Sequence, residues 1–450
     1  MLDLKFKTMR TIFLFVDKDL LIRDLLTGNF LPQLAAKFKA VVFMQEKSYL
    51  RNKDFLFRGG NVKYEIWPVY NNRFLDWMKT FRSVFIRQFD YLNVQQFKKR
   101  NLPRTKFNRW LLPLASAGRS IFTLNLFKFL EKRFLSGKSK KNFRNYIEQH
   151  HPNLLITASC GIMNFEAEGL LLAEVCDLPT VAVNFNWDNL TSKVRSLRLP
   201  NKLVVWNESI KAIAKEMHGY KDSDVFVSGI VRFDPYFNKD APRLPSREEF
   251  LRSKGLDPNN KTIVYASTAD FVYPFQKKLI SLLIELRDQG KLLSWPNIFV
   301  RLHYKDPIDG YRQFLSQPGV YIEAYASTSL ERDALNLKAT LLYGDVHLNY
   351  ASTISLDVCA LNRPLINLAF PVEVVARFPN QDFPHYHPLV QIGATRLAHD
   401  PMELVGLING YFLNPGLDSE KRKIIADNLI GNTDGLSHKR IVDFLVDIVS

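Results

Sequence analysis

Asn349-Tyr350-Ala351-Ser352-Thr353 closes a short apolar segment, and the residues after it begin a helix that carries Asp357. This stretch, within residues 339–368, decides the fold. Thr340-Leu341-Leu342-Tyr343 and His347-Leu348 are β-favouring, so a strand is expected to run into the Ala-Ser-Thr corner. At a helix start the first N–H groups have no intrahelical partner, and the dipole favours negative charge. Hydroxyls beside such donors make an anion site, and a diphosphate would fit there. Asp357, about one helical turn beyond Ser352 and Thr353, is placed to accept hydrogen bonds from a ribose. Asn362-Arg363-Pro364 then stops the helix, and Leu365-Ile366-Asn367-Leu368 starts another strand. An ordinary capped helix in an α/β layer would use the same residue types.

Working outward, apolar strand-like runs alternate with helical patterns over most of the 450 residues. Strands are expected at 11–16, 40–44, 63–67, 154–157, 180–184 and 202–206, followed by Val225-Phe226-Val227-Ser228-Gly229. After the proline-containing stretch 238–258 a fresh series starts at 262–266, with a helix at 274–288 and strands at 297–302 and 320–323. Helices close the chain from 401 onward. The reading is α/β, with a first domain at 1–238 and a second at 239–450, the last helices crossing back to the first.

Composition narrows the class. There is no run of eighteen apolar residues and the start lacks a signal-peptide profile, so a protein of a reducing cytoplasm is expected. Cys160, Cys176 and Cys359 have no metal-ligand spacing and read as buried thiols, and no metal site is expected. The net charge of +16 is concentrated: residues 72–144 hold eighteen Lys and Arg against Asp76, Asp90 and Glu131, a balance of +15. Trp77, Phe81, Phe85, Phe89, Phe97, Phe107 and Trp110 interleave with these charges. Basic amphipathic helices of this kind suit an anionic membrane surface, which we expect here rather than nucleic acid.

Several motifs stand in one order along the chain. They are Asn186-Trp187-Asp188-Asn189-Leu190-Thr191-Ser192-Lys193, Val204-Val205-Trp206-Asn207-Glu208, Val227-Ser228-Gly229-Ile230-Val231-Arg232-Phe233-Asp234, Val300-Arg301-Leu302-His303, the block from Asn349 to Pro364, and His385-Tyr386-His387-Pro388-Leu389. Together they resemble the GT-B glycosyltransferases of bacterial cell-surface carbohydrate synthesis, related to UDP-GlcNAc 2-epimerases and CDP-glycerol glycerophosphotransferases. The resemblance covers the chain from about residue 154 to its end. It departs at Arg301-Leu302-His303-Tyr304, where the family has Arg-Pro-His-Pro, and at Asp357, where Glu is usual. The basic insert matches no family motif.

The resemblance implies two Rossmann-like domains facing each other across a cleft, with the basic helical insert in the first. It implies a metal-independent, inverting transfer of a sugar from a nucleotide-sugar to a glycan or lipid-linked glycan acceptor, with no cofactor beyond that donor, by a peripheral enzyme at the inner face of the plasma membrane. A CDP-alditol phosphotransferase and a catalytically silent binding subunit are the alternatives. Candidate donor-binding residues are Arg232, Ser267, Thr268, Arg301, His303, Asn349, Ser352, Thr353, Asp357 and His387. Candidate acid–base residues are Glu166, Glu168, Asp188 and His303. No P-loop lysine, nucleophile triad or dinucleotide fingerprint is present.

Overall fold

The computed structural model describes residues 9–26, 28–68, 121–162, 164–192, 198–238, 243–269, 275–324, 330–375, 383 and 385–450. Contacts divide the chain into two compact units, Met1–Arg232 with Leu436–Ser450, and Phe233–Gly435. The division falls after Arg232, a little before the expected 238.

The first unit is a parallel seven-stranded sheet of β1 (Thr11–Phe15), β2 (Lys39–Met44), β3 (Val62–Ile66), β4 (Pro152–Thr157), β5 (Thr180–Val183), β6 (Lys202–Val205) and β7 (Val225–Val227), in the order β3-β2-β1-β4-β5-β6-β7. Strand β1 is buried on both faces, which is why Thr-Ile-Phe-Leu-Phe reads as a continuous apolar run without alternation. Its Phe13 and Phe15 meet Phe43, Phe143, Phe165 and Trp67 edge-on or tilted, with ring centroids 4.7–6.2 Å apart. Each such ring contributes roughly 1.5–3 kcal/mol by leaving water. The helix Asn164–Val175 approaches β1 closely through Gly169, where an added Cβ would lie 2.9 Å from the Phe15 ring.

The C-terminal helix Ser437–Val449 belongs to this unit. Phe444 stacks on Phe226 at 4.4 Å, and Arg440 Nε donates to the Ser228 carbonyl at 2.7 Å. Of the basic segment, residues 72–120 lie outside the described residues. The remainder forms helices Ile121–Phe134 and Gly137–His150, the second capped by Ser136.

The second unit is a parallel six-stranded sheet of β8 (Thr262–Ala266), β9 (Asn297–Arg301), β10 (Val320–Glu323), β11 (Val346–Asn349), β12 (Leu365–Leu368) and β13 (Arg396–Ala398), in the order β10-β9-β8-β11-β12-β13. One expectation is corrected here. Thr340-Leu341-Leu342-Tyr343 ends the helix Leu330–Tyr343 instead of opening a strand, and Thr340 Oγ1 bonds back to the Asn336 carbonyl at 2.7 Å. Gly344 follows, and the strand is only Val346–Asn349.

Candidate functional site

In the second unit β8 and β11 lie side by side, yet the chain leaves β8 toward β9 and β10 and leaves β11 toward β12 and β13. The connections diverge at this strand pair, and the space beyond the carboxyl ends of strands at such a switch point is the general location of ligands in open α/β sheets. Ser267 and Thr268 follow β8. Asn349 ends β11, and Ser352 and Thr353 follow it, so five of the sequence candidates come to one sheet edge.

The corner after β11 is strained and tightly held. Ala351 adopts φ 38°, a conformation disfavoured for any residue with a Cβ. Asn349 Oδ1 accepts from Ser352 N at 3.2 Å, Ser355 Oγ at 3.1 Å and Asn367 Nδ2 at 2.9 Å, which fixes the orientation of its amide. That leaves Asn349 Nδ2 buried without a hydrogen-bond partner among the described residues, and Thr268 Oγ1 is in the same condition. Leaving a buried polar atom unpaired costs about 1–3 kcal/mol, and a bound polar group would supply what these two lack. The Ser352 and Thr353 side chains are half-buried at the start of helix Ile354–Ala360.

His303 follows β9 by one residue. Its N–H donates to Ser267 Oγ at 2.9 Å, tying the β9 end to the β8 end. Lys305 N donates to His303 Nδ1 at 3.3 Å, and this bond assigns the ring proton to Nε2. Burial, and then the Lys305 charge, lower the imidazole to about 4, so at neutral pH His303 is an uncharged Nε2–H donor.

Arg301 is a correction. Its guanidinium is buried against Glu323 and bonded to Asp333 at 2.5 Å, with Lys254 also pairing Glu323 at 3.1 Å. Two carboxylates consume the charge that a phosphate would need. Asp357 is fully buried and accepts from the Tyr236 hydroxyl at 2.8 Å, so a ribose reaches it only if Tyr236 gives way. His387 is exposed at the start of helix His387–Ile392, whereas its neighbour Tyr386 turns inward. Arg232 is half-buried in a short 3-10 turn, the last residue of the first unit.

The residues that sequence reasoning missed are Ser355, Asn367, Tyr386 and Thr395. Tyr386 Oη lies 2.7 Å from Ser355 Oγ and donates to Asn367 Oδ1 at 2.7 Å, while Thr395 Oγ1 donates to the same Asn367 oxygen at 2.9 Å. All are buried. Asn367 in the otherwise apolar Leu-Ile-Asn-Leu strand was the available signal.

The first unit has its own divergence point, between β1 and β4. There Glu166 is buried and takes the Ser159 hydroxyl on Oε2, while Ser159 Oγ accepts from Ile162 N at 3.1 Å. Glu166 Oε1 has no hydrogen-bond partner among the described residues. Burial raises the carboxyl to about 7, outweighing the bonds from Ser159 and the Ala158 backbone. Glu168 is turned elsewhere: it accepts from Ser139 Oγ at 2.5 Å, on helix Gly137–His150, which removes it as a base at this strand edge. Asp188 is half-buried after β5, where its carbonyl accepts from Thr191 N at 3.1 Å. A pocket of about 360 Å³ lies at the opposite end of β5, lined by Lys128, Glu174, Thr180, Arg198 and Asn201 among others. Arg198 there is paired with Glu131 and Glu174, and Thr180 bonds Asn201 at 2.8 Å, so its polar groups satisfy one another.

Among the described residues no group of His, Cys, Asp and Glu is arranged to hold a metal ion. No helix among them is long and apolar enough to cross a membrane.

No protein-family profile and no curated protein sequence matches the chain. Solved structures do match in fold. A structure described as a putative UDP-N-acetylglucosamine 2-epimerase from Listeria monocytogenes superposes with TM-score 0.58 at 10% identity, over 98% of this chain and 96% of its own. The UDP-GlcNAc 2-epimerase of Methanocaldococcus jannaschii gives 0.55 at 13%, over 97% and 99%. The wall teichoic acid polymerase TagF, soaked with CDPG, gives 0.52 at 12%, over 98% and 88%. The two successive Rossmann-like units therefore have the GT-B fold.

Proposed function

We propose that the chain is a glycosyltransferase that moves a sugar from a nucleotide-sugar onto a glycan or lipid-linked glycan acceptor in cell-surface carbohydrate synthesis. The observation that carries this is the pair of buried, unsatisfied polar atoms, Thr268 Oγ1 and Asn349 Nδ2, at the two strand ends that bound the divergence point of the second sheet. Solved structures of the same fold hold nucleotides: one of the M. jannaschii epimerase contains UDP-GlcNAc and UDP, and TagF was soaked with CDPG. In this chain the hydroxyls of Thr268, Ser352 and Thr353, the Asn349 amide and the His303 Nε2–H are the donors for a diphosphate.

In the transfer, an acceptor hydroxyl oxygen attacks the anomeric carbon as the bond from that carbon to the diphosphate oxygen breaks. The negative charge that develops on the leaving diphosphate is met by these fixed donors. The acceptor proton passes to a carboxylate, and Glu166, held near neutrality by burial, has the ionisation suited to that task.

The helix Ile121–Phe134 supports a membrane-surface setting. Leu126 and Phe129 are 45% and 63% exposed and share their outward face with Lys132 and Arg133. Its one acid, Glu131, is bound to Arg198. Lys132 pairs with Glu174 at 2.9 Å, which leaves exposed Leu126 and Phe129 beside Arg133, and exposed apolar side chains next to a cation suit an anionic lipid surface better than a nucleic-acid backbone, which needs no buried apolar contact.

A thermal-shift and calorimetry panel of UDP, GDP, CDP and dTDP tests the donor reading. One diphosphate is expected to raise the melting temperature of the wild type and to bind more weakly to Thr268→Ala and His303→Ala. Absence of binding by all four refutes it. Release of CMP from a CDP-alditol, with no sugar transfer, would favour a phosphotransferase instead.

A further inference from the structure

Tyr386, which touches no proposed ligand, is fully buried and its hydroxyl lies between two groups that reach Asn349. On one side it meets Ser355 Oγ at 2.7 Å, and Ser355 in turn donates to Asn349 Oδ1 at 3.1 Å. On the other it lies 2.7 Å from Asn367 Oδ1, whose amide nitrogen donates to Asn349 Oδ1 at 2.9 Å; with Ser355 giving its proton to Asn349, the single Tyr386 proton is shared between Ser355 Oγ and Asn367 Oδ1. Both routes end on the one oxygen that holds the Ser352 N–H. The strained Ala351 is thus pinned through Asn349, and Asn349 is pinned by groups that Tyr386 orients.

We propose that Tyr386 is a positioning residue for the anion-binding corner at Ala351–Thr353, acting through Ser355, Asn367 and Asn349; this rests on the reading of that corner as a diphosphate site. The tyrosine ring fills space that phenylalanine also fills, so the hydroxyl alone carries the effect. Without it Ser355 and Asn367 still donate to Asn349 Oδ1, but each loses a polar neighbour that fixes its own orientation, so the two bonds that hold the Asn349 amide are directed less tightly. The corner then samples geometries in which the Ser352 N–H is released. Polar networks of this kind are worth more than their separate bonds because each member orients the next.

The test measures binding of a nucleoside diphosphate and its monophosphate, chosen from the four bases by which diphosphate binds the wild type, to full-length wild type, Tyr386→Phe and Ser355→Ala. Loss of one net hydrogen bond predicts a roughly three- to tenfold weaker diphosphate affinity for Tyr386→Phe. The monophosphate affinity stays within about twofold, because it lacks the second phosphate that the corner is proposed to hold. The double variant loses less than the product of the two single losses, since both act through Asn349. Equal weakening of both nucleotides, or additive losses, overturns the positioning role. So does a Tyr386→Phe that binds the diphosphate like wild type. If wild type itself binds no diphosphate, the diphosphate reading falls first and the positioning role falls with it.

Discussion

Replacing Glu166 by glutamine changes one proton and almost nothing else, and its effect should reverse in importance across the pH scale. The carboxyl is buried and its pKa is raised from 4.5 to about 7, first by burial. Between those two values the folded state binds more protons than the unfolded state, so the stability of the native protein falls as pH rises through that window. Below pH 4.5 both states are protonated and the group contributes nothing. Above pH 7 both are ionised, and the accumulated loss is about 3 kcal/mol from a shift of roughly 2.5 units at 1.36 kcal/mol each. Glutamine is neutral throughout and keeps a polar contact to Ser159. The variant should therefore lie within about 1 kcal/mol of wild type near pH 5 and exceed it by about 3 kcal/mol near pH 8.5. For a unit of this size that corresponds to about 6–12 °C in the melting transition. Thermal scans or urea titrations of both proteins at half-unit steps give the difference directly, and other titrating groups cancel in it. A difference that is flat from pH 5 to 8.5 would show that the carboxylate is already solvated or paired. A variant that loses stability at high pH would show that the anion is held by a cation, with Lys18, whose charge acts on it, the candidate.

Three further outcomes follow from the same structure. Because burial keeps His303 at about 4, its ring is neutral from pH 5.5 upward, so the His303 contribution to diphosphate binding should be constant from pH 5.5 to 8; a wild-type affinity that drops as His303 loses a proton within that range contradicts it. Phe129→Ala combined with Arg133→Glu should abolish flotation with phosphatidylglycerol vesicles and leave the melting temperature within about 1 °C, since these side chains are exposed; binding that persists, or that is equal on phosphatidylcholine, removes helix Ile121–Phe134 as the docking element. Gly169→Ala brings a Cβ to 2.9 Å from a Phe15 ring already wedged among Phe43, Trp67, Phe143 and Phe165, and should cost about 1–3 kcal/mol, measurable by urea denaturation; a neutral result would mean the ring has room to retreat.

The strands were legible because a central parallel strand is buried on both faces and must be apolar almost throughout, as β1 and β8 are. Ser267, Thr268, Ser352 and Thr353 were legible for a related reason: residues just past the end of such a run sit at the sheet edge wherever the strand lies. What the sequence cannot carry is pairing at a distance. Arg301 after a strand looks like a phosphate ligand until Glu323 and Asp333, 22 and 32 residues away, are brought onto it. Tyr386 was quoted only as part of a motif, because its partners Ser355 and Asn367 are 31 and 19 residues distant. The error at Thr340–Tyr343 has a local cause. A β-branched residue and three bulky apolar ones have strand propensity, but here they close a long amphipathic helix whose burial outweighs propensity, and Gly344 marks the real boundary.

The two divergence points differ in the chemistry they present, and the difference argues for how labour is divided between the units. At the second, the polar groups are neutral donors or hydroxyls: Asn349 Nδ2, Thr268 Oγ1, the Ser352 and Thr353 hydroxyls and the His303 Nε2–H, with Arg301 neutralised by two acids. Such a set favours an anion without committing a fixed countercharge to it, so a diphosphate is held by direction more than by net charge and can leave once its bond is broken. At the first, the buried group with a spare oxygen is a carboxylate, Glu166, which accepts protons and repels phosphate. A chain that bound the same kind of ligand in both units would repeat one donor set. Under the proposed transferase reading, proton acceptance falls to the first unit's Glu166 and anion binding to the second unit's donor set.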